Sequence, residues 1–458
     1  MTAALQPAIY RPAPRITALG PEFYDPVVAA KFPSSILRFR NDKAAHSIGL
    51  SALTDAAWVE HFGRFCPLTD NLPCPLALRY HGHQFGVYNP DLGDGRGFLF
   101  AQMLSDDGRL MDLGTKGSGQ TPWSRRGDGR LTLKGGVREI LATEMLEALG
   151  VTTSRSFSLV ETGEALVRGD EPSPTRSAVL VRLSHGHIRI GSFQRLAYLD
   201  DKAGLRALTD YVLREYFGDP GGADAPARLL THVVTRTAAM AAQMMAAGFV
   251  HGVLNSDNIN VTGECFDYGP WRFLPRWEPG FVAAYFDEAG RYAFGRQPEA
   301  IHWNAMQLAV ALRQISNAQP LIEALDGFAA CYQPAVVARL LWRLGVKPRS
   351  AAQDQTLIQT LERALRASAA PLDQFYFDAF GGNIPQSYGT AFDELRAALA
   401  PYAARKGRDH GYWRGPAPCS MLIGDVEAIW HEIAQRDDWS ALHTKVAQIR
   451  MMGVALAD

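Results

Sequence analysis

Lysine is scarce in this chain: of 46 basic residues only eight are Lys and 38 are Arg. The 47 acidic residues balance them to a formal net charge of −1. A dedicated nucleic-acid binder carries a basic surplus, so no nucleic-acid partner is expected. Long apolar runs are missing too. None reaches the ~18 residues of a membrane span, so no membrane partner is expected. Cysteine is rare, and Cys66, Cys74, Cys265, Cys331 and Cys419 are odd in number and widely spaced. That pattern fits a reducing compartment, and the Cys66–Cys74 pair stands too isolated for a zinc site. The stretch Met1 to Gly20 holds scattered Pro and Arg and no apolar signal core. A cytoplasmic, monomeric protein is the resulting expectation.

What is present suits a large soluble enzyme. At ~150 residues per domain, 458 residues predict roughly three domains or one lobed unit. A chain of that length buries a sizeable core without disulfides or metals. Residues 1–75 read as an N-terminal extension, Pro-rich from Arg11 to Arg15, with one helical pattern from Ser51 to Phe65. Residues 76–200 are Gly-rich with β-like runs at Phe98–Leu104, Leu110–Gly114, Ser156–Val160, Ala165–Val167 and Ala178–Leu183. One helix interrupts them, from about Lys134 to Leu149, with Gly150 placed to end it. Residues 201–345 turn helical, with apolar periodicity over Leu205–Phe217 and Ala227–Ala247. Pro226 is placed to start the second of these and Gly248 to stop it. Gly-rich turns and short strands follow, one of them expected at Ile259–Val261. Residues 346–458 form a C-terminal helical region. A helix set inside a small sheet, followed by a helical half, is the order of a bilobal kinase-like fold, though many α+β enzymes share it.

The scarce Lys116 follows a strand and opens the glycine run Gly117-Ser118-Gly119. This is not a Walker A loop, because no Gly-Lys-Ser/Thr ends it. Alone it reads equally as a glycine turn with a solvated lysine. Glu139, inside the predicted helix, changes that balance, since kinase-like folds fix a strand ammonium with a helix carboxylate. Gly93-Asp94-Gly95-Arg96 recurs as Gly127-Asp128-Gly129-Arg130. Both can be Asp-Gly hairpin turns, or glycine backbone and guanidinium gathered for phosphate. Arg182 and Arg189 fall on opposite faces of a straight strand, and a turn at Gly186 brings both to one anion. Two surface arginines are the plainer alternative.

The segment His251-Gly252-Val253-Leu254-Asn255-Ser256-Asp257-Asn258, followed by Asp267-Tyr268-Gly269-Pro270, has the layout of a catalytic loop and a metal-binding loop. Asn258 and Asp267 offer the hard oxygens that suit Mg²⁺. Asp257 is placed to accept a proton from a hydroxyl nucleophile. Capped turns are the alternative. The pairs His81-Gly82-His83 and His185-Gly186-His187 lack a third ligand of zinc spacing and read as structural histidines.

Together, Tyr80-His81-Gly82-His83-Gln84-Phe85-Gly86, Lys116 through Pro122 to Ser124-Arg125, Gly127-Asp128-Gly129-Arg130, Val137-Arg138-Glu139 and the His251 and Asp267 segments resemble the selenoprotein O family. The resemblance implies an α+β, bilobal protein-kinase-like fold with an N-terminal extension and a C-terminal helical region. It implies a protein adenylyltransferase that binds ATP flipped relative to a kinase and moves AMP to Ser, Thr or Tyr hydroxyls of protein substrates. Lys116 would contact phosphate, held by Glu139. Gly93, Gly95, Arg96, Asp128 and Gly129 would line the nucleotide pocket, and Arg182 and Arg189 would hold the distal phosphates. Asn258 and Asp267 would ligate Mg²⁺ or Mn²⁺, with Asp257 as proton acceptor. Asp257 and Asn258 are adjacent, unlike the separated Asp and Asn of a kinase catalytic loop, which argues against ordinary γ-phosphoryl transfer. Uridylyl transfer from UTP with Mn²⁺, and a nucleotide-binding pseudokinase acting through partners, are the alternatives. From Cys419 to Met452 the Asn-Pro and Arg-Asn motifs expected of the family are missing.

Overall fold

The computed structural model describes residues 9–169 and 171–457. Met1–Ala8, the first part of the expected extension, lie outside the described residues, as does Asp458 at the end of the tail. The strands are β1 (Tyr24–Pro26), β2 (Ile36–Arg40), β3 (Leu76–Leu78), β4 (Gly82–Gln84), β5 (Val87–Asn89), β6 (Leu99–Leu104), β7 (Leu110–Lys116), β8 (Leu131–Thr132), β9 (Arg155–Leu166) and β10 (Thr175–Ser184), then the short β11 (Phe249–Val250) and β12 (Arg272–Phe273). Eight of them form one antiparallel sheet in the order β1-β3-β6-β7-β10-β9-β2, with β8 paired to β10. The fold is therefore mixed α and β, with its main sheet confined to the first part of the chain.

Residues read as an extension supply β1 and β2, the two ends of this sheet. Their helical pattern at Ser51–Phe65 is α2 (Asp55–Phe62), and α1 (Asp42–Ser47) precedes it outside that pattern; each is capped by a side chain, Asn41 for α1 and Thr54 for α2, that accepts a backbone N–H. Trp58 and Phe62 of α2 are fully buried against Phe157 of β9. The two runs expected at Ser156–Val160 and Ala165–Val167 are one continuous strand, β9. Gly163 adopts φ 77° inside it, where β9 bulges: Ala165 to Glu161 span the register that Arg176 to Ala178 span on β10.

The helix bearing Glu139 is α3 (Leu133–Ala148), capped by the Thr132 hydroxyl and packed on β9 and β10 through Val137, Ile140, Leu141 and Met145. Beyond the sheet run α4 (Ile190–Tyr198), α5 (Lys202–Phe217), α6 (Ala225–Ala247), α7 (Gln297–Leu312), α8 (Ala318–Leu344), α9 (Ala351–Ala367), α10 (Leu372–Ala379), α11 (Asp393–Leu399), α12 (Ile423–Arg436) and α13 (Ser440–Leu456). Helix α6 begins at Ala225 with Pro226 in its first turn and stops at Gly248 in the left-handed region, close to where its sequence predicts. It packs along α8 and α7. Helix α13 folds back onto α3, where Arg450 grips the buried Glu144. No described helix is long and apolar enough to cross a membrane.

The expected strand at Ile259–Val261 is not formed. Asn260 makes only an isolated bridge to Arg189, because this segment meets the turn before α4 and not a neighbouring strand. The two short strands after α6 are β11 and β12, which pair and close the polar loop between them.

Candidate active site

Lys116 ends β7, so its buried side chain emerges where the central strand stops. It forms an ion pair with Glu139 of α3, both groups nearly water-free. Burial pushes the Lys116 ammonium below its ordinary range, and the Glu139 charge opposes that loss. The Lys116 Nζ also lies 4.0 Å from Asp267.

Arg182 lies on β10, and Arg189 stands at the N-terminal boundary of α4. Gly186 between them has φ 82°, and a side chain there would strike the Tyr216 ring. That turn brings the two guanidiniums together. Arg182 binds one Asp267 oxygen at 2.5 Å and Arg189 binds the other. Burial works to raise the Asp267 carboxyl, but the charges of Arg182, Arg189 and Lys116 outweigh it and hold the group well below the usual carboxylate range. Arg189 also donates to the Asp257 carbonyl at 2.8 Å, lies 3.3 Å from Asp94, and stacks over Tyr80 at 4.4 Å and Phe266 at 4.8 Å.

Asp257 sits in a single helical turn, Ser256–Asn258, on the loop after β11. Gly82 of β4 crosses directly over it, and a Cβ at Gly82 would come within 2.9 Å of the Asp257 Cβ. The Gln84 amide donates to Asp257 Oδ2 at 3.4 Å, while Oδ1 is buried without a hydrogen-bond partner among the described residues. Burial raises the Asp257 carboxyl to about 6. Asn258 donates its amide to the Val253 carbonyl at 3.1 Å. His251, fully buried, bonds the Phe266 carbonyl at 3.0 Å and so ties the catalytic-type loop to the Asp267 segment.

A cleft of about 750 Å³ joins these groups. Lys116, Arg182, Arg189, Asp257, Asn258 and Asp267 line it, with Glu139 behind Lys116. Gly93, Gly95, Arg96, Asp128 and Gly129 line it as well. Gly93 lies against the Trp123 ring, leaving no room for a Cβ. The Gly95 carbonyl accepts from Ser124 Oγ at 2.5 Å. Arg96 and Asp128 are exposed at the rim, where Asp128 pairs with Arg168 at 2.8 Å. The sequence-predicted residues therefore divide into a buried charge cluster and an exposed rim.

Asn258 and Asp267 line the same cleft and carry hard oxygens of the kind that suits Mg²⁺ or Mn²⁺, and Asp257 Oδ1 in that cleft has no partner among the described residues, while both Asp267 oxygens are engaged by Arg182 and Arg189. Three of the four histidines of the two pairs are occupied otherwise, while His185 Nε2 is buried without a hydrogen-bond partner among the described residues. His81 bonds Tyr88 at 2.8 Å, His83 bonds Gln194 at 2.7 Å, and His187 lies 3.3 Å from Asp112. Burial lowers His81 and His185 to about 4, so both rings are neutral. Among the described residues no three His, Cys, Asp or Glu side chains stand together as a metal site.

Sequence reasoning did not single out Asp94, Gln84, Tyr80 or Trp123, all of which line the cleft. Each lies inside or beside a motif read for its glycines, histidines or arginines.

A family model described as protein adenylyltransferase SelO matches residues 8–391. The chain belongs to the SelO family. Among SelO relatives, a protein nucleotidyltransferase YdiU of Synechococcus elongatus is 48% identical over 400 residues, covering 85% of this chain and 76% of its own length. Its namesake in Gloeobacter violaceus is 43% identical over 461 residues, covering 95% of this chain and 94% of its own. That of Synechocystis is 40% identical over 469 residues, with 95% and 97% covered. The SelO match takes in every cleft residue described above.

Proposed function

We propose that the chain is a protein adenylyltransferase. It transfers AMP from ATP to Ser, Thr or Tyr hydroxyls of proteins and releases pyrophosphate, with Mg²⁺ or Mn²⁺ as its metal. The observation that carries this reading is the meeting of Lys116, Arg182 and Arg189 around Asp267 in one cleft. Three cations in a water-poor pocket suit a group that gathers charge as it leaves. The names of the family and of its relatives support nucleotidyl transfer to protein.

In this reading the cleft lies between the lobes of a protein-kinase-like fold. Residues 1–75 are the extension, 76–200 the sheet lobe, 201–345 the helical lobe and 346–458 the C-terminal region. ATP lies flipped, with its α-phosphate toward Asp257 and Asn258 and its distal phosphates toward Lys116, Arg182 and Arg189. Gly93, Gly95, Arg96, Asp128 and Gly129 complete the nucleotide pocket.

Asp257 takes the proton of the acceptor hydroxyl as its oxygen bonds the α-phosphorus, and the bridging bond to the β-phosphate breaks. Lys116 and the two arginines take up the charge on departing pyrophosphate. Glu139 keeps Lys116 charged in its buried position. Asn258 and Asp267 would hold a divalent ion, which would supply charge neutralisation to the phosphate oxygens. The product tests the reading: ATP turned over with a protein mixture yields pyrophosphate, and ADP as the sole nucleotide product overturns it.

A further inference from the structure

We infer that Arg125 and Arg126 form an acid-recognising edge of the cleft, which reads a carboxylate beside the acceptor hydroxyl of the protein substrate. The inference rests on the transferase reading above and names a feature of its substrates.

Both arginines line the cleft with exposed side chains. Of the other arginines of the same wall, Arg96 is likewise exposed and without an ion pair among the described residues and belongs to the nucleotide pocket in the reading above, and the rest are committed. Arg130 pairs with Glu164 at 2.8 Å, Arg168 with Asp128, and Arg182 and Arg189 with Asp267. Arg125 and Arg126 have no ion-pair partner among the described residues. Two neighbouring unpaired guanidiniums on one rim constitute a local positive field in a chain of net charge −1.

The loop that carries them is fixed. Thr121 Oγ1 donates to the Asp94 carbonyl at 2.5 Å, Ser124 Oγ donates to the Gly95 carbonyl at 2.5 Å, and Trp123 Nε1 donates to Asp25 at 2.8 Å. Gly127 N closes a turn onto the Ser124 carbonyl at 2.7 Å. Within that turn Arg125 adopts φ 54°, a left-handed backbone that favours glycine. A long cation thus stands at a turn position where a glycine would relax the backbone.

Burial separates this pair from the three innermost cations of the cleft. Lys116, Arg182 and Arg189 are 6%, 5% and 2% exposed, whereas Arg125 and Arg126 stand in solvent. In the transferase reading the phosphates of a bound nucleotide lie against the buried set. A group arriving from solvent with the acceptor protein meets the exposed pair. Guanidinium forks match carboxylates in charge and geometry, so an Asp or Glu flanking the hydroxyl is the fitting partner.

The test uses fluorescence anisotropy on the full chain with a non-hydrolysable ATP analogue. The probes are a labelled peptide with one Ser flanked by Glu and the same peptide with Gln for Glu. The expected result is about ten-fold tighter binding of the Glu peptide, weakening as salt screens the contact. In Arg125→Gln/Arg126→Gln the preference disappears, while the analogue binds within about two-fold of wild type. No preference in the wild type overturns the inference. So does a large loss of analogue binding in the double variant, which assigns the pair to the nucleotide. Equal competition by single-stranded RNA also overturns it. Absence of AMP labelling by the wild type counts instead against the transferase reading, because peptide binding is measured without turnover.

Discussion

Lys116 and Glu139 form a buried ion pair between the end of the central strand and the helix packed beneath it. The pair ties the position of α3 to the position of a cation in the cleft. Lys116→Met removes the cation, and transfer is expected to fall by about 10²–10³. Glu139→Gln leaves the ammonium but frees it, with a smaller loss of about ten-fold. Initial rates of transfer, with nucleotide affinity measured alongside, check both.

Asp257 gives the clearest pH dependence. Its carboxyl is raised to about 6, so it is ionised and able to take a proton above that value. Transfer is expected to decline as pH falls through about 6. Asp257→Asn should cost about 10²–10⁴ in rate while preserving ATP affinity. It should not lower the melting temperature, because it replaces a carboxylate whose ionised form is disfavoured by burial.

Gly114 lies beneath His187, and a Cβ there would come within 2.2 Å of the ring Nε2. His187 stands two residues before Arg189 and is itself buried against Asp112. Gly114→Ala therefore forces apart β7 and the turn that aims Arg189. A destabilisation of about 1–3 kcal/mol in urea titration is expected, together with weaker nucleotide binding.

Glu264 is buried beyond the cleft, accepts from His185 N at 2.7 Å, and is raised by burial to about 7. Its folded pKa exceeds that of the unfolded chain. The stability it contributes is therefore fully present at acid pH and is lost as pH rises through about 7. Glu264→Gln should flatten the decline of stability with pH across that range, as read by melting temperature against pH. An unchanged slope contradicts the assignment.

The pairing of Lys116 with Glu139 was legible because both lie in strongly patterned elements, a short β run and an amphipathic helix. Arg182 and Arg189 were legible only as far as the glycine between them, since their convergence on Asp267 depends on long-range packing of Tyr216 and Phe266. Strands β1 and β2 were hidden. They are three and five residues long, and their partners, such as Glu161 for Ile36, lie far along the chain. No local signal reports such pairings. Ile259–Val261 misled for the opposite reason: its apolar β-branched residues fill the core beside α4 without a ladder to join. Gln84 escaped notice because its neighbours His81 and His83 drew the chemistry, yet it is Gln84 that touches Asp257.

The central claim is that the α-phosphate, and not the γ-phosphate, faces Asp257. Parallel reactions with α-³²P and γ-³²P ATP, a protein mixture and Mg²⁺ or Mn²⁺ test it most directly. The account predicts protein-bound label from the α position alone, lost in Asp257→Asn. Label from the γ position alone would contradict it.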